Sequence, residues 1–112
     1  SSVNPLVISG DVMYVLDTLG KLMCLEKESG KLTWAVQLKM KKNKKEIAWY
    51  GPLLSTNKLI LISSDGLVLS LSPFTGKILS KINFDENFLS NPIQVMEKIY
   101  LISKQGTLFI LG

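Results

Sequence analysis

Apolar residues recur along the chain in short runs with a period of two, the spacing of β-strands, and turn-forming clusters separate the runs. The pattern predicts strands over residues 6–9, 12–16, 22–26 and 32–38, then over 53–55, 59–63, 68–72 and 78–84, and finally over 93–95, 99–103 and 108–111. Between them lie Ser9-Gly10-Asp11, Thr56-Asn57-Lys58, Ser64-Asp65-Gly66 and Lys104-Gln105-Gly106, residue types that favour tight turns. Some strands are apolar at consecutive positions, as in Leu59-Ile60-Leu61-Ile62 and Phe109-Ile110-Leu111. A sheet with one wet face would alternate with polar residues, so these sheets are expected to be covered on both sides. Corresponding residues then form layers, with Cys24, Ser70 and Ile110 on one face and Leu25, Leu71 and Leu111 on the other.

The strands group into repeats. Pro5, Pro52 and Pro92 are offset by 47 and 40 residues, and Gly20, Gly66 and Gly106 by 46 and 40. Periods of this size belong to propellers or solenoids, and repeated four-stranded meanders describe propeller blades. The expected fold is therefore all-β, a partial β-propeller of four-stranded antiparallel blades. Two blades are complete and the last has three strands, in one domain 1–112 with blades at about 4–38, 51–84 and 91–112. Propellers close with roughly four to eight blades. The chain accordingly reads as the C-terminal sector of a longer propeller, whose last blade would be completed by an N-terminal strand of the same ring. Its outer blade faces, left apolar, are expected to drive self-association.

Composition narrows the chemistry. The 112 residues are 46% apolar, enough for a core, with no run near the ~18 apolar residues that span a bilayer. Ser1-Ser2-Val3-Asn4-Pro5 lacks the pattern of a signal peptide. All 13 basic residues are lysine, and histidine is absent. Missing histidine removes the usual general base and the commonest metal ligand. The acids Asp17, Glu26, Glu28, Asp65, Asp85, Glu86 and Glu97 show no calcium-loop spacing, and Gly20, Gly66 and Gly106 are turn glycines rather than a phosphate loop. No catalytic residue, metal ligand or cofactor is assigned. The single cysteine, Cys24, reads as a small buried hydrophobe.

Two stretches are candidates for partner contact. Lys39, Lys41, Lys42, Lys44 and Lys45 form a cluster between the first two repeats. The cluster is either a solvated inter-blade loop or an attractor of an acidic partner, anionic lipid or nucleic acid. Nucleic acid is not expected, because the run lacks arginine and interleaved stacking aromatics. Trp49 and Tyr50, just before Gly51-Pro52, either plug a blade junction or line the central funnel or a partner-binding rim.

One stretch carries a recognisable motif. Cys24, Glu26, Ser29, Gly30 and Trp34 follow the order small residue, acid, Ser/Thr-Gly, then tryptophan four after the glycine. A second copy keeps Thr75 and Gly76 but has Ser72 in the acid's place and Ser80 in the tryptophan's. This pattern resembles the tryptophan-docking motif of PQQ-like repeat propellers, in which the tryptophan braces one blade against its neighbour. Residues 91–111 are similar to the ending of BamB-type outer-membrane assembly lipoproteins. That resemblance implies an eight-bladed parent, anchored by lipid at the periplasmic face of the outer membrane. There it would serve as a non-catalytic scaffold bound to the barrel-assembly subunit. The same repeats occur in quinone-dependent dehydrogenases and ligand-sensing ectodomains, which remain the alternatives. The dehydrogenases want adjacent cysteines and a calcium-ligand cluster, and this sequence has neither.

Overall fold

The computed structural model describes residues 6–88 and 92–111; within these, every regular element is a β-strand. Blade 1 is a meander of β1 (Val7–Ser9), β2 (Val12–Leu16), β3 (Lys21–Glu26) and β4 (Leu32–Gln37). A small hairpin follows, β5 (Lys41–Lys42) and β6 (Lys45–Glu46). Blade 2 comprises β7 (Trp49–Ser55), β8 (Lys58–Ser63), β9 (Leu67–Leu71) and β10 (Ile78–Asn83). Blade 3 comprises β11 (Ile93–Val95), β12 (Lys98–Ile102) and β13 (Leu108–Leu111). Neighbouring strands pair antiparallel throughout, giving a partial β-propeller of two four-stranded blades and one of three strands. The expected blade starts at residues 4 and 91, with Pro5, and the end at 112 lie outside the described residues.

The register explains why the strands are apolar on both sides. Val7, Val12, Tyr14, Leu16, Leu22, Cys24, Trp34 and Val36 of blade 1 meet Leu54, Leu59, Leu61, Leu69 and Leu71 of blade 2 in one cluster. The other side of blade 2 presents Leu53, Ile60, Ile62 and Val68 to Ile99, Leu101, Phe109 and Leu111 of blade 3. Phe84, Phe88 and Phe109 close that second cluster, with ring centroids 4.6 to 6.2 Å apart. Blade 2 is thus sandwiched, and Leu59, Leu61, Ile62 and Leu71 lose all contact with water. Burying each such side chain is worth about 1.5–3 kcal/mol.

Two segments depart from the periodicity reading. The lysine run forms a hairpin rather than a plain loop. Asn43 and Lys44 take the left-handed conformation at φ 53° and 66°, and the Ile47 amide donates to the Met40 carbonyl at 2.8 Å. The first strand of blade 2 begins at Trp49 instead of residue 53. Its ladder runs Trp49 to Ser63 and Tyr50 to Ile62, breaks at Gly51-Pro52, and resumes at Leu53 opposite Ile60. Proline lacks the N–H a ladder needs, so Gly-Pro reads as a breaker; here the pair sits in a bulge that the strand runs through.

The turns share one device. Asp17 Oδ1 accepts from the Lys21 amide at 2.8 Å, Ser63 Oγ from the Leu67 amide at 2.9 Å, and Ser103 Oγ from the Thr107 amide at 3.0 Å. Ser63 and Ser103 have no solvent exposure, so these bonds satisfy hydroxyls that would otherwise be costly to bury.

Candidate protein-interaction site

Both kinds of repeat turn gather at opposite ends of the blades, and the sequence candidates divide between them. At one end lie the Ser/Thr-Gly turns. Glu26 Oε1 accepts from Ser29 Oγ at 2.7 Å, and the Gly30 amide donates to the Glu26 carbonyl at 2.8 Å. In blade 2, Ser72 Oγ takes the acid's place by accepting from the amides of Phe74 and Thr75 at 3.2 and 3.3 Å. Thr75 Oγ1 accepts from the Lys77 amide at 3.2 Å, matching Ser29 Oγ with the Lys31 amide at 3.2 Å.

Trp34 does not pack on the turn of its own repeat. Its Nε1 donates to the Pro73 carbonyl of blade 2 at 3.2 Å, beside Tyr14, whose hydroxyl donates to the same oxygen at 3.1 Å. The indole lies over Gly76: a Cβ there would come 2.5 Å from Trp34 Cε3, and Gly76 holds φ 78°. Glycine is therefore required at 76 on two counts, left-handed backbone and close approach. Cys24 is buried beside this contact, where burial pushes its thiol above the ordinary value. Burial first, and then the neighbouring Cys24, raise the Tyr14 phenol.

At the other end is an open polar cleft of about 680 Å³, lined among others by Lys42, Lys45, Tyr50, Asp65, Asp85 and Lys104. The hairpin forms one wall. Lys41 lies opposite Glu46, and Lys42 directly opposite Lys45. Like charges at directly opposed positions destabilise a strand pair, and the carboxylates of Glu46, Asp65 and Asp85 line the same cleft as the two lysines. Lys39, Lys41, Lys42, Lys44 and Lys45 are all exposed.

The two aromatic candidates separate. Trp49 is buried in the blade 1–blade 2 cluster, and its Nε1 donates to the Lys39 carbonyl at 2.8 Å. Its indole is a plug that anchors the base of the hairpin, which leaves no free face for a partner. Tyr50 is half-buried; it packs against the blade 2–blade 3 cluster and lines the cleft. Sequence reasoning missed Asp65, Asp85 and Lys104 as members of this site, because two turns and an inter-blade connection bring them together only in the fold. The chemistry on offer is recognition of a charged surface. Among the described residues no group of three histidine, cysteine or carboxylate side chains is placed to hold a metal ion.

Comparison with known proteins gives consistent results. A family model described as outer membrane protein assembly factor BamB matches residues 2–80. BamB from Moraxella catarrhalis superposes with a TM-score of 0.67 at 21% identity, over 96% of this chain and 36% of that one. The computationally designed Ika4 protein superposes with a TM-score of 0.67 at 14% identity, over 99% of this chain and 66% of that one. A europium-containing methanol dehydrogenase gives 0.63 at 15% identity, over 97% and 23%. At these identities the solved structures share the fold. The chain spans about a third of the length of the BamB structure it matches. Among curated proteins the sequence has no significant match.

Proposed function

The chain belongs to the family of outer membrane protein assembly factor BamB, and from that membership we propose that it is a non-catalytic, protein-binding sector of a propeller that serves outer-membrane protein assembly. The observation that carries this reading is the family match over residues 2–80, which spans the first blade and most of the second. The parent would be a propeller of about eight blades at the periplasmic face of the outer membrane, held there by a lipid anchor. Its partner would be the barrel-assembly subunit.

The cleft supports a binding role of a definite kind. Lys42 and Lys45 of the short hairpin line the cleft with Lys104, alongside Glu46, Asp65 and Asp85, and the hairpin is tied to the core through Trp49. A rim of this sort attracts an acidic protein surface and raises association rates in a salt-dependent way. The methanol dehydrogenase likeness supports a common fold and no more, at 15% identity.

Affinity capture from solubilised cell envelope, using the longest polypeptide that contains this chain, tests the reading. Recovery of the barrel-assembly machinery, reduced at 0.5 M salt and by the Lys42→Glu/Lys45→Glu pair, is the expected outcome. Consistent recovery of none of that machinery, or dye-linked alcohol oxidation on adding quinone and calcium, would overturn it.

A further inference from the structure

The two blade junctions are built on one frame, and only the first carries a hairpin. Where blade 1 gives way to blade 2, the Leu38 amide donates to the Gly20 carbonyl at 2.8 Å, the Ser64 amide donates to the Ala48 carbonyl at 2.8 Å, and Trp49 pairs with Ser63. Where blade 2 gives way to blade 3, the Phe84 amide donates to the Gly66 carbonyl at 2.9 Å, the Lys104 amide donates to the Asn87 carbonyl at 2.8 Å, and Phe88 pairs with Ser103. Leu38 therefore corresponds to Phe84, and Trp49 to Phe88. Ten residues, 39–48, separate the first pair; three, Asp85-Glu86-Asn87, separate the second. The frame closes without the extra seven, so closing it does not account for β5–β6.

The longer connection also holds the net charge of the chain. Of 13 basic and nine acidic residues, residues 39–46 contain five lysines and one glutamate; eight of each sign remain elsewhere, so the whole +4 excess sits on this segment. Its base is fixed. Ile47 is buried, Met40 fills the space over Gly20 that a Cβ would need, and Trp49 Nε1 donates to the Lys39 carbonyl at 2.8 Å. Beyond that base, residues 41–46 are all exposed. Anchoring of this kind reduces the freedom a charged element gives up on binding.

The signs of the neighbouring charges select the partner. Lys42 and Lys45 share their cleft with Lys104, but also with Glu46, Asp65 and Asp85. A lipid surface or a nucleic acid presents phosphate throughout and would set it against those three carboxylates, whereas a protein segment can offer both signs, and like-charge juxtaposition rejects wrong partners. Residues 41–46 include no apolar or aromatic side chain to enter a membrane or stack on a base. We propose that the β5–β6 hairpin is the recognition element of the cleft and seats a predominantly acidic, mixed-charge loop of a partner protein. Carboxylates of that loop meet Lys42, Lys45 and Lys104, and a basic side chain meets Asp65 and Asp85. This rests on the protein-binding reading above and narrows it to one element and one class of partner.

Site-specific crosslinking in cells, with the longest polypeptide that contains this chain, tests this. Lys41→p-benzoylphenylalanine places a photoreactive group on the hairpin, and Phe74→p-benzoylphenylalanine places one at the opposite blade ends as a control. Crosslinks from position 41 and not from 74 are expected, mapped by mass spectrometry to a partner segment that holds carboxylates and a basic residue. Two variants then measure binding of the purified partner. One replaces residues 39–48 by Asp-Glu-Asn, the connection of the second junction; the other keeps the hairpin and changes Lys39, Lys41, Lys42, Lys44 and Lys45 to Gln. Each is expected to weaken binding about tenfold or more. Where circular dichroism shows the shortened chain unfolded, the glutamine variant carries the measurement alone. Affinity capture that recovers the barrel-assembly machinery equally well with and without the five lysines would overturn this inference while supporting the proposed function. Capture of none of that machinery, with crosslinks from position 41 to an acidic segment of another protein, would support this inference and overturn the assembly role. Crosslinks to lipid or RNA, or none from position 41, would overturn the inference.

Discussion

At the scale of single residues, the contact between Trp34 and Gly76 shows what a repeat motif encodes. Tryptophan four residues after the turn glycine is visible in the sequence, and so is the glycine of the second copy. The sequence cannot show that they touch across 42 positions, or that the acceptor of the indole N–H is a proline carbonyl. Nor does the serine at 72 look equivalent to the acid at 26 until its hydroxyl is seen capping the same turn. Gly30 and Gly76 provide a controlled comparison, with φ 74° and 78° but with open space above Gly30 and the indole above Gly76. Gly30→Ala is expected to cost about 1 kcal/mol for the left-handed backbone alone. Gly76→Ala should cost at least twice that, because Trp34 must also move, and urea denaturation of the two variants measures the difference. Equal losses would show that the indole does not press on residue 76.

At the scale of elements, strand order and hairpin pairing were legible because the period-two pattern and the turn residues agree at nearly every boundary. The exceptions have physical causes. The hairpin β5–β6 was hidden by its charge, since lysines in a polar run give no periodicity. The start of β7 was hidden by Gly51-Pro52, a sequence that stops most strands. The β7–β8 turn is held from blade 3, where Glu97 Oε2 accepts from the Thr56 amide at 2.9 Å and the Ser55 hydroxyl is shared between the Glu97 carbonyl at 3.0 Å and Oε2 at 3.2 Å. Thr56 and Asn57 there hold φ 51° and 59°, a conformation that β-branched threonine adopts reluctantly. Glu97→Ala is expected to destabilise by about 1 kcal/mol, the net value of a hydrogen bond at a partly exposed site. Pairing it with Ser55→Ala in a double-mutant cycle should give less than the sum of the two losses, and strict additivity would show that the two side chains do not act together.

At the scale of the whole molecule, stability resides between blades, and titration of that interface should reveal it. Tyr14 and Cys24 lie in the blade 1–blade 2 cluster, and burial raises both the phenol and the thiol. Both are neutral when protonated, so the folded state holds their protons more tightly than the unfolded chain does. Their contribution is complete below the ordinary thiol and phenol range, roughly pH 8.5 to 10, and is lost as pH rises through it toward the raised values. Thermal melts from pH 7 to 10.5 are expected to show Tm falling on the alkaline side, with a shallower fall in Tyr14→Phe. A parallel fall in both proteins would place the alkaline loss elsewhere.

The sequence by itself determined the strand pattern, the repeat length and hence the propeller class, because these depend on local propensity and on the spacing of apolar residues. Tertiary structure alone decided which face of each blade meets which, that Trp49 is spent on packing while Tyr50 reaches the cleft, and that Asp65, Asp85 and Lys104 join the lysine hairpin in one site. These are contacts between residues distant along the chain, and the energy that selects them, burial of apolar surface between rigid sheets, belongs to no single segment.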